Sequence, residues 1–218
     1  LPTLLFAQYV MPPVFNGDED MNAIIAIYSA YFDQHSLPII ASNLAISFGS
    51  LAIYFALAPS RNNTVAENLV SALKIFVIYL IANLLIAVVA LPGFILFIIP
   101  GLYLSSRLLL VPMVIVNEGE RNPIESLKRS WSLTSNNGFS ILLFVLIIAV
   151  VGTITIGVLE SVTGVVAGLA TGGTGWPFVE NLVAALTGTA FQLVLTAVIT
   201  SIYIELTGQN SKVSDIFT

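Results

Sequence analysis

Residues 75–116 read IFVIYLIANLLIAVVALPGFILFIIPGLYLSSRLLLVPMVIV, with Arg107 as the single charged side chain. A membrane-spanning helix needs about 20 apolar residues. This run is about twice that long, so it has to fold back on itself as two helices. Leu91-Pro92-Gly93 is the expected turn, because Pro removes a helical N–H and Gly permits the positive φ that ends a helix. Two spans follow, at about 75–91 and 94–116.

The same reading extends outward from this hairpin. Leu37 to Ala58, Phe139 to Leu159 and Asn181 to Ile204 contain no charged residue. They give spans at about 37–58, 139–159 and 181–205. Leu1 to Val10 is apolar except for Thr3 and Gln8 before Pro12-Pro13 interrupts. It is too short to cross, and is expected to be the end of a further span, about 1–12, whose first part precedes Leu1. The expected architecture is all-α: one polytopic membrane helix bundle over residues 1–218, of about six spans with the first incomplete, and short amphipathic interfacial helices.

Composition agrees. The 218 residues are 57% hydrophobic and only 9% charged, against roughly 25% charged in an average soluble domain. The absence of cysteine rules out disulfides, thiolate nucleophiles and zinc–cysteine sites, and a single histidine, His35, rules out multi-histidine metal sites. A net charge of −5 argues against nucleic acid as a partner, which calls for clustered Lys and Arg. No cofactor is expected.

Orientation follows from the positive charges. If the segment around 17–36 is outside, the loops at 60–74, 117–138 and 208–218 share the opposite side. They carry Arg61, Lys74, Arg121, Lys128, Arg129 and Lys212, six of the seven basic residues. The other face has Asp18, Glu19, Asp20, Asp33, Glu160 and Glu180, and no Lys or Arg. Basic loops stay in the cytoplasm, so those three loops are expected there, in a bacterial cytoplasmic (inner) membrane.

Two helix starts are written into these loops. Thr64-Val65-Ala66-Glu67 is a capping box, and Val65, Leu69 and Leu73 then recur every four residues, predicting an interfacial helix over about 64–74. Asn122-Pro123-Ile124-Glu125 places a cap, a Pro at the first helical position and an acid in the first turn. It predicts a second interfacial helix over about 122–135, with Ile124, Leu127, Trp131 and Thr134 on one face. Glu125 can pair with Lys128 and Arg129 at helical spacing. Trp131 would lie at headgroup level, with the basic residues near anionic lipid. On the outer side, Met21 to Phe32 predicts a further interfacial helix.

The block Pro100-Gly101-Leu102-Tyr103-Leu104, then Arg107, Pro112 and Glu118, then Asn122-Pro123-Ile124-Glu125-Ser126-Leu127-Lys128-Arg129-Ser130-Trp131-Ser132-Leu133-Thr134, resembles the YciC-like bacterial inner-membrane proteins. The membrane domain attached to some glycerophosphoryl diester phosphodiesterases is similar. The matched stretch is roughly 100–138; Ser126 stands where that family usually has Ala, and Asn122 where Gly is common. The resemblance implies about six spans and a basic, Trp-containing cytoplasmic helix before the fifth. It implies no activity, since the phosphodiesterase chemistry belongs to a separate soluble domain.

Arg107 lies ten residues before Asn117, so at ~1.5 Å per residue it sits about 15 Å deep. An unpaired Arg there costs at least ~2.5 kcal/mol, and something must compensate. Either it marks a polar cavity or headgroup site together with Asn83 and Gln192, or it snorkels or pairs structurally. Asn83 and Gln192 fit bonds across helices or to backbone. Glu118, Glu120, Arg121, Glu125 and Glu205 fit an electrostatic network that holds the interfacial helix to the bundle, and as an open surface they make poor catalytic carboxylates. Asp18-Glu19-Asp20 fails as a calcium loop, because position twelve from Asn16 is Ile27 where Glu is required. Gly164 and Gly168 match the GxxxG spacing of close helix pairs.

These features lead to the expectation of a non-enzymatic multi-pass membrane protein. It would be an accessory or scaffold subunit, or a lipid- or partner-organising factor, acting through Lys128, Arg129 and Trp131. Its partners would be membrane lipids, anionic headgroups on the cytoplasmic side among them, and further membrane subunits or a second copy. The alternative is a small-solute or lipid transporter with a polar cavity near Arg107.

Overall fold

The computed structural model describes residues 20–58, 64–173 and 175–208. Among them every regular element is helical: α1 (Met21–Leu57), α2 (Val65–Leu96), α3 (Ile98–Arg107), a single turn α4 (Val111–Met113), a π-helical turn (Val114–Glu118), α5 (Pro123–Leu133), α6 (Gly138–Ala170) and α7 (Pro177–Thr207). Five stretches are long and apolar enough to cross a membrane: α1, α2, the run Ile98–Glu118, α6 and α7. The fold is an all-α membrane helix bundle. The expected partial span at 1–12, with Asp18, Glu19, Arg61 and Lys212, lies outside the described residues.

Three expected boundaries need correction. Met21–Phe32 is not a separate interfacial helix; it runs without a break into the span expected at 37–58, through Pro38. A proline removes one hydrogen bond, and a membrane helix can make good that loss through side chains and neighbours. The helix expected at 64–74 is likewise the opening of α2 rather than a separate piece. Its capping box is complete: Thr64 N donates to Glu67 Oε2 (2.7 Å), and Glu67 N donates to Thr64 Oγ1 (3.4 Å). The hairpin turn is not at Leu91-Pro92-Gly93. Pro92 sits inside α2, and the chain reverses at Phe97, the one extended residue between α2 and α3 (φ −163°, ψ 156°).

The chain divides into two compact units, each described by itself: Leu1–Ser47 with Thr155–Thr189, and Phe48–Ile154 with Ala190–Thr218. In the first, Asp20 starts α1, its Oδ1 accepting from Ala23 N (2.7 Å). At the head of α7, Glu180 Oε1 accepts from Trp176 N (2.9 Å). A side chain added at Gly164 or Gly168 would meet nothing within 4 Å, so among the described residues the GxxxG pair brings no second helix close.

The second unit holds the larger core. Leu51, Tyr54 and Phe55 of α1, Ala72, Ile75 and Tyr79 of α2, Leu110, Val111 and Met113 to Val116, and Ile199 and Tyr203 of α7 cluster there. In lipid no hydrophobic force drives helices together, so close packing has to do it. Glycines provide the approach. A Cβ on Gly93 would lie 2.9 Å from the backbone N and Cα of Gly101, and one on Gly152 would lie 1.9 Å from Phe191 Cε2. That is why the expected turn moved: Gly93 is spent on letting α3 lie against α2, and the reversal falls four residues later.

Candidate functional site

The site is the junction of α3, the π turn and α5. Asn122 accepts from Ile124 N (3.0 Å) and Pro123 fills the first helical position, where its missing N–H costs nothing. The π turn before it ends on Gly119 in the left-handed region (φ 71°), a conformation a Cβ would strain. α5 turns Ser126, Ser130 and Thr134 inward, all fully buried, and leaves Ile124, Lys128, Arg129 and Trp131 exposed. The apolar stripe expected on α5 therefore divides. Thr134 is buried and Leu127 packs partly against the core, while Ile124 and Trp131 face outward.

Arg107 is the last residue of α3 and is only 4% exposed. Its Nη1 donates to the carbonyl oxygen of Thr134, the C-terminal cap of α5, and its guanidinium carbon lies 4.4 Å from the centre of the Trp131 ring. In return, the Arg107 carbonyl accepts from Ser130 Oγ (2.9 Å) and from Thr134 Oγ1 (3.2 Å). The last carbonyls of a helix have no partner within it, and a cation near that end is favoured by the helix dipole. Two helix C-termini thus cap one another. Ser106 Oγ adds a bond to Gly138 O (3.3 Å), and Gly138 leaves room for the Arg107 side chain, since a Cβ there would lie 2.7 Å from Arg107 Cδ. Arg107 Nε is buried without a hydrogen-bond partner among the described residues.

The three intramembrane polar residues do not share a set of bonds. Asn83 Nδ2 donates to Tyr79 O of its own helix (3.1 Å), and Gln192 Nε2 donates to Ser50 Oγ across α7 and α1 (3.4 Å).

The charged residues sort into pairs. Arg129 Nε donates to both oxygens of Glu118 (3.0 Å each), and Tyr203 Oη donates to Glu118 Oε1 (3.2 Å). Glu118 thereby joins the π turn, α5 and α7. Lys128 pairs with Glu125 (2.7 Å) on the surface. Glu120 Oε1 accepts from Asn122 N (2.8 Å), propping the α5 cap. Arg121 is exposed beside that cap, and Glu205 is exposed in the last turn of α7. Val114, Glu118, Glu120, Glu125, Lys128 and Arg129 line an open concavity of about 330 Å³. A second one, of about 250 Å³, lies within the other unit and is lined by Val162, Val166, Ala167, Trp176 and neighbours.

Ser130, Thr134 and Tyr203 are the partners that sequence reasoning passed over. The hydroxyl spacing Ser126, Ser130, Thr134, every fourth residue, is the signal that could have found two of them. Among the described residues no group of three or more His, Asp or Glu is placed to hold a metal ion.

No curated protein and no solved structure matches the chain. A family profile does: residues 39–206, most of the chain and the whole junction, match the one described as Domain of unknown function (DUF7847), and the chain belongs to that family.

Proposed function

We propose that the protein is a non-enzymatic, multi-pass membrane protein that gathers anionic lipid or a partner subunit on the face of α5. The observation that carries this is the reciprocal capping of Arg107 with Ser130 and Thr134, which fixes α5 against the bundle while Lys128 and Trp131 stay exposed. A helix held only by its apolar face could roll; one held by a buried cation and two hydroxyls presents the same side chains at all times. The Lys128–Glu125 pair is exposed on both sides (67% and 50%). Such pairs are worth about 0–1 kcal/mol, so a lipid phosphate can take over Lys128 at little cost. The basic loops are taken to be cytoplasmic, in a bacterial inner membrane, where anionic headgroups attract Lys and Arg. The resemblance to YciC-like proteins fits this reading. Arg107 supports it over a transporter, because its guanidinium is committed to Thr134 and Trp131 and lines neither concavity described above.

The test is lipid capture from membranes containing phosphatidylglycerol. Extracted in mild detergent, the protein should retain phosphatidylglycerol in preference to phosphatidylethanolamine, or a stoichiometric partner. Lys128→Glu with Arg129→Glu should abolish that retention. Equal retention by the variant sinks the proposal.

A further inference from the structure

The tip of the α2–α3 hairpin carries a second reading, independent of the function proposed for α5. Leu91 to Pro100 reads LPGFILFIIP and contains no polar side chain. A turn that meets water normally carries polar residues, because its side chains and its unpaired backbone groups both need solvent. Here the apolar side chains from Ile95 to Ile99 all point outward, Ile95 being 75% exposed and Phe97 74% exposed.

The backbone of the turn is also economical with donors. Phe97 N donates to Gly93 O (3.0 Å), so the one extended residue is itself bonded. Of the amides in the first turn of α3, Pro100 has none, and Gly101 N donates to Phe97 O (3.4 Å). At most the amides of Ile98 and Ile99 are left over. Close approach of Gly93 to Gly101 is what allows a reversal this short. In hydrocarbon, where water is not available, an irregular turn is tolerable only if its polar groups are met from within.

The length of α2 places this tip. From Lys74 to Leu96 is about 33 Å of continuous helix at ~1.5 Å per residue. The hydrocarbon core is about 30 Å thick. With Lys74 at one surface, α2 carries the tip to the far edge of the hydrocarbon and has little length to spare beyond it. We infer that the α2–α3 tip, residues 94–99, stays in the acyl region of the far leaflet and is a surface for lipid chains, not an aqueous loop.

The chain has no cysteine, so single cysteines can report on this directly. Ile95→Cys and Phe97→Cys are introduced separately, with Asn136→Cys in the exposed α5–α6 turn as the water-facing reference. In phosphatidylcholine vesicles, a membrane-impermeant maleimide offered on both sides should label Asn136→Cys at least tenfold faster than either tip variant. Bimane attached to the tip in detergent, then reconstituted, should be quenched more by a nitroxide deep in the acyl chain than by one on the headgroup. Tip labelling at a rate close to that of Asn136→Cys overturns the inference. So does the absence of quenching by either nitroxide, which would mean that protein, such as a second copy of the chain, covers the tip. Two tip positions guard against one substitution misfolding.

Discussion

At Arg107, the one charge in the run 75–116, the guanidinium meets a carbonyl and an indole ring while the backbone carbonyl meets two hydroxyls. Each contact answers a separate cost. The carbonyl and the ring compensate a guanidinium withdrawn from water, and the hydroxyls compensate a helix-end carbonyl with no partner in its own helix. Hydrogen bonds to a charged group are worth about 1.5–3 kcal/mol, and a cation over Trp adds ~0.5–2 kcal/mol. Arg107→Leu should therefore lower stability by about 2–4 kcal/mol, read as the shift in thermal unfolding in detergent. Arg107→Lys should recover only part of it, since an ammonium lacks the planar fork and stacks less well. Full recovery by Lys would mean that charge alone matters. Thr134→Val, which keeps the backbone acceptor and removes the hydroxyl, should cost about 1 kcal/mol. Arg107 was legible in the sequence because it is the one charge in a 42-residue apolar run. Its partners were not, because Ser130 and Thr134 lie 23 and 27 residues away and a hydroxyl carries no sign of which carbonyl it will meet.

Among the elements, the apolar runs placed a span within each of the five long stretches, and Asn122-Pro123 marked the start of α5 to the residue. What the sequence concealed was where helices do not stop. Pro92 read as a break, yet α2 continues through it, as α1 does through Pro38, since a bundle in lipid penalises an open turn more than one lost hydrogen bond. Gly93 read as a turn residue for its backbone freedom; it serves instead for its missing Cβ. Gly93→Ala should then be markedly destabilising, because the obstacle is the backbone of Gly101, which cannot move aside. Gly49→Ala, where the added carbon meets nothing within 4 Å, should be neutral or slightly stabilising. Comparable unfolding temperatures for the two would contradict the packing account. At Gly152 the obstacle is a side chain, so the damage from Gly152→Ala should be relieved by Phe191→Leu in the double variant. Strict additivity of the two substitutions would show that they do not meet.

For the whole molecule, composition alone announced a membrane protein, and the helices agree. Function was less legible because the polar side chains of the junction bond to one another across elements far apart in sequence. Glu118, read from sequence as one of an edge network, is the point where the π turn, α5 and α7 meet through Arg129 and Tyr203. Tyr203 was invisible to the sequence as a partner, being 85 residues away. The account joins two claims: Arg107 fixes α5, and α5 thereby presents Lys128 and Trp131 to lipid or partner. The measurement that tests the join most directly is native mass spectrometry of the wild type beside Arg107→Leu, both extracted from phosphatidylglycerol-containing membranes and both checked for helical content by circular dichroism. The account predicts that Arg107→Leu keeps its helices but loses the bound anionic lipid or partner, although Lys128, Arg129 and Trp131 are all still present. Undiminished binding by a helical Arg107→Leu protein would contradict it.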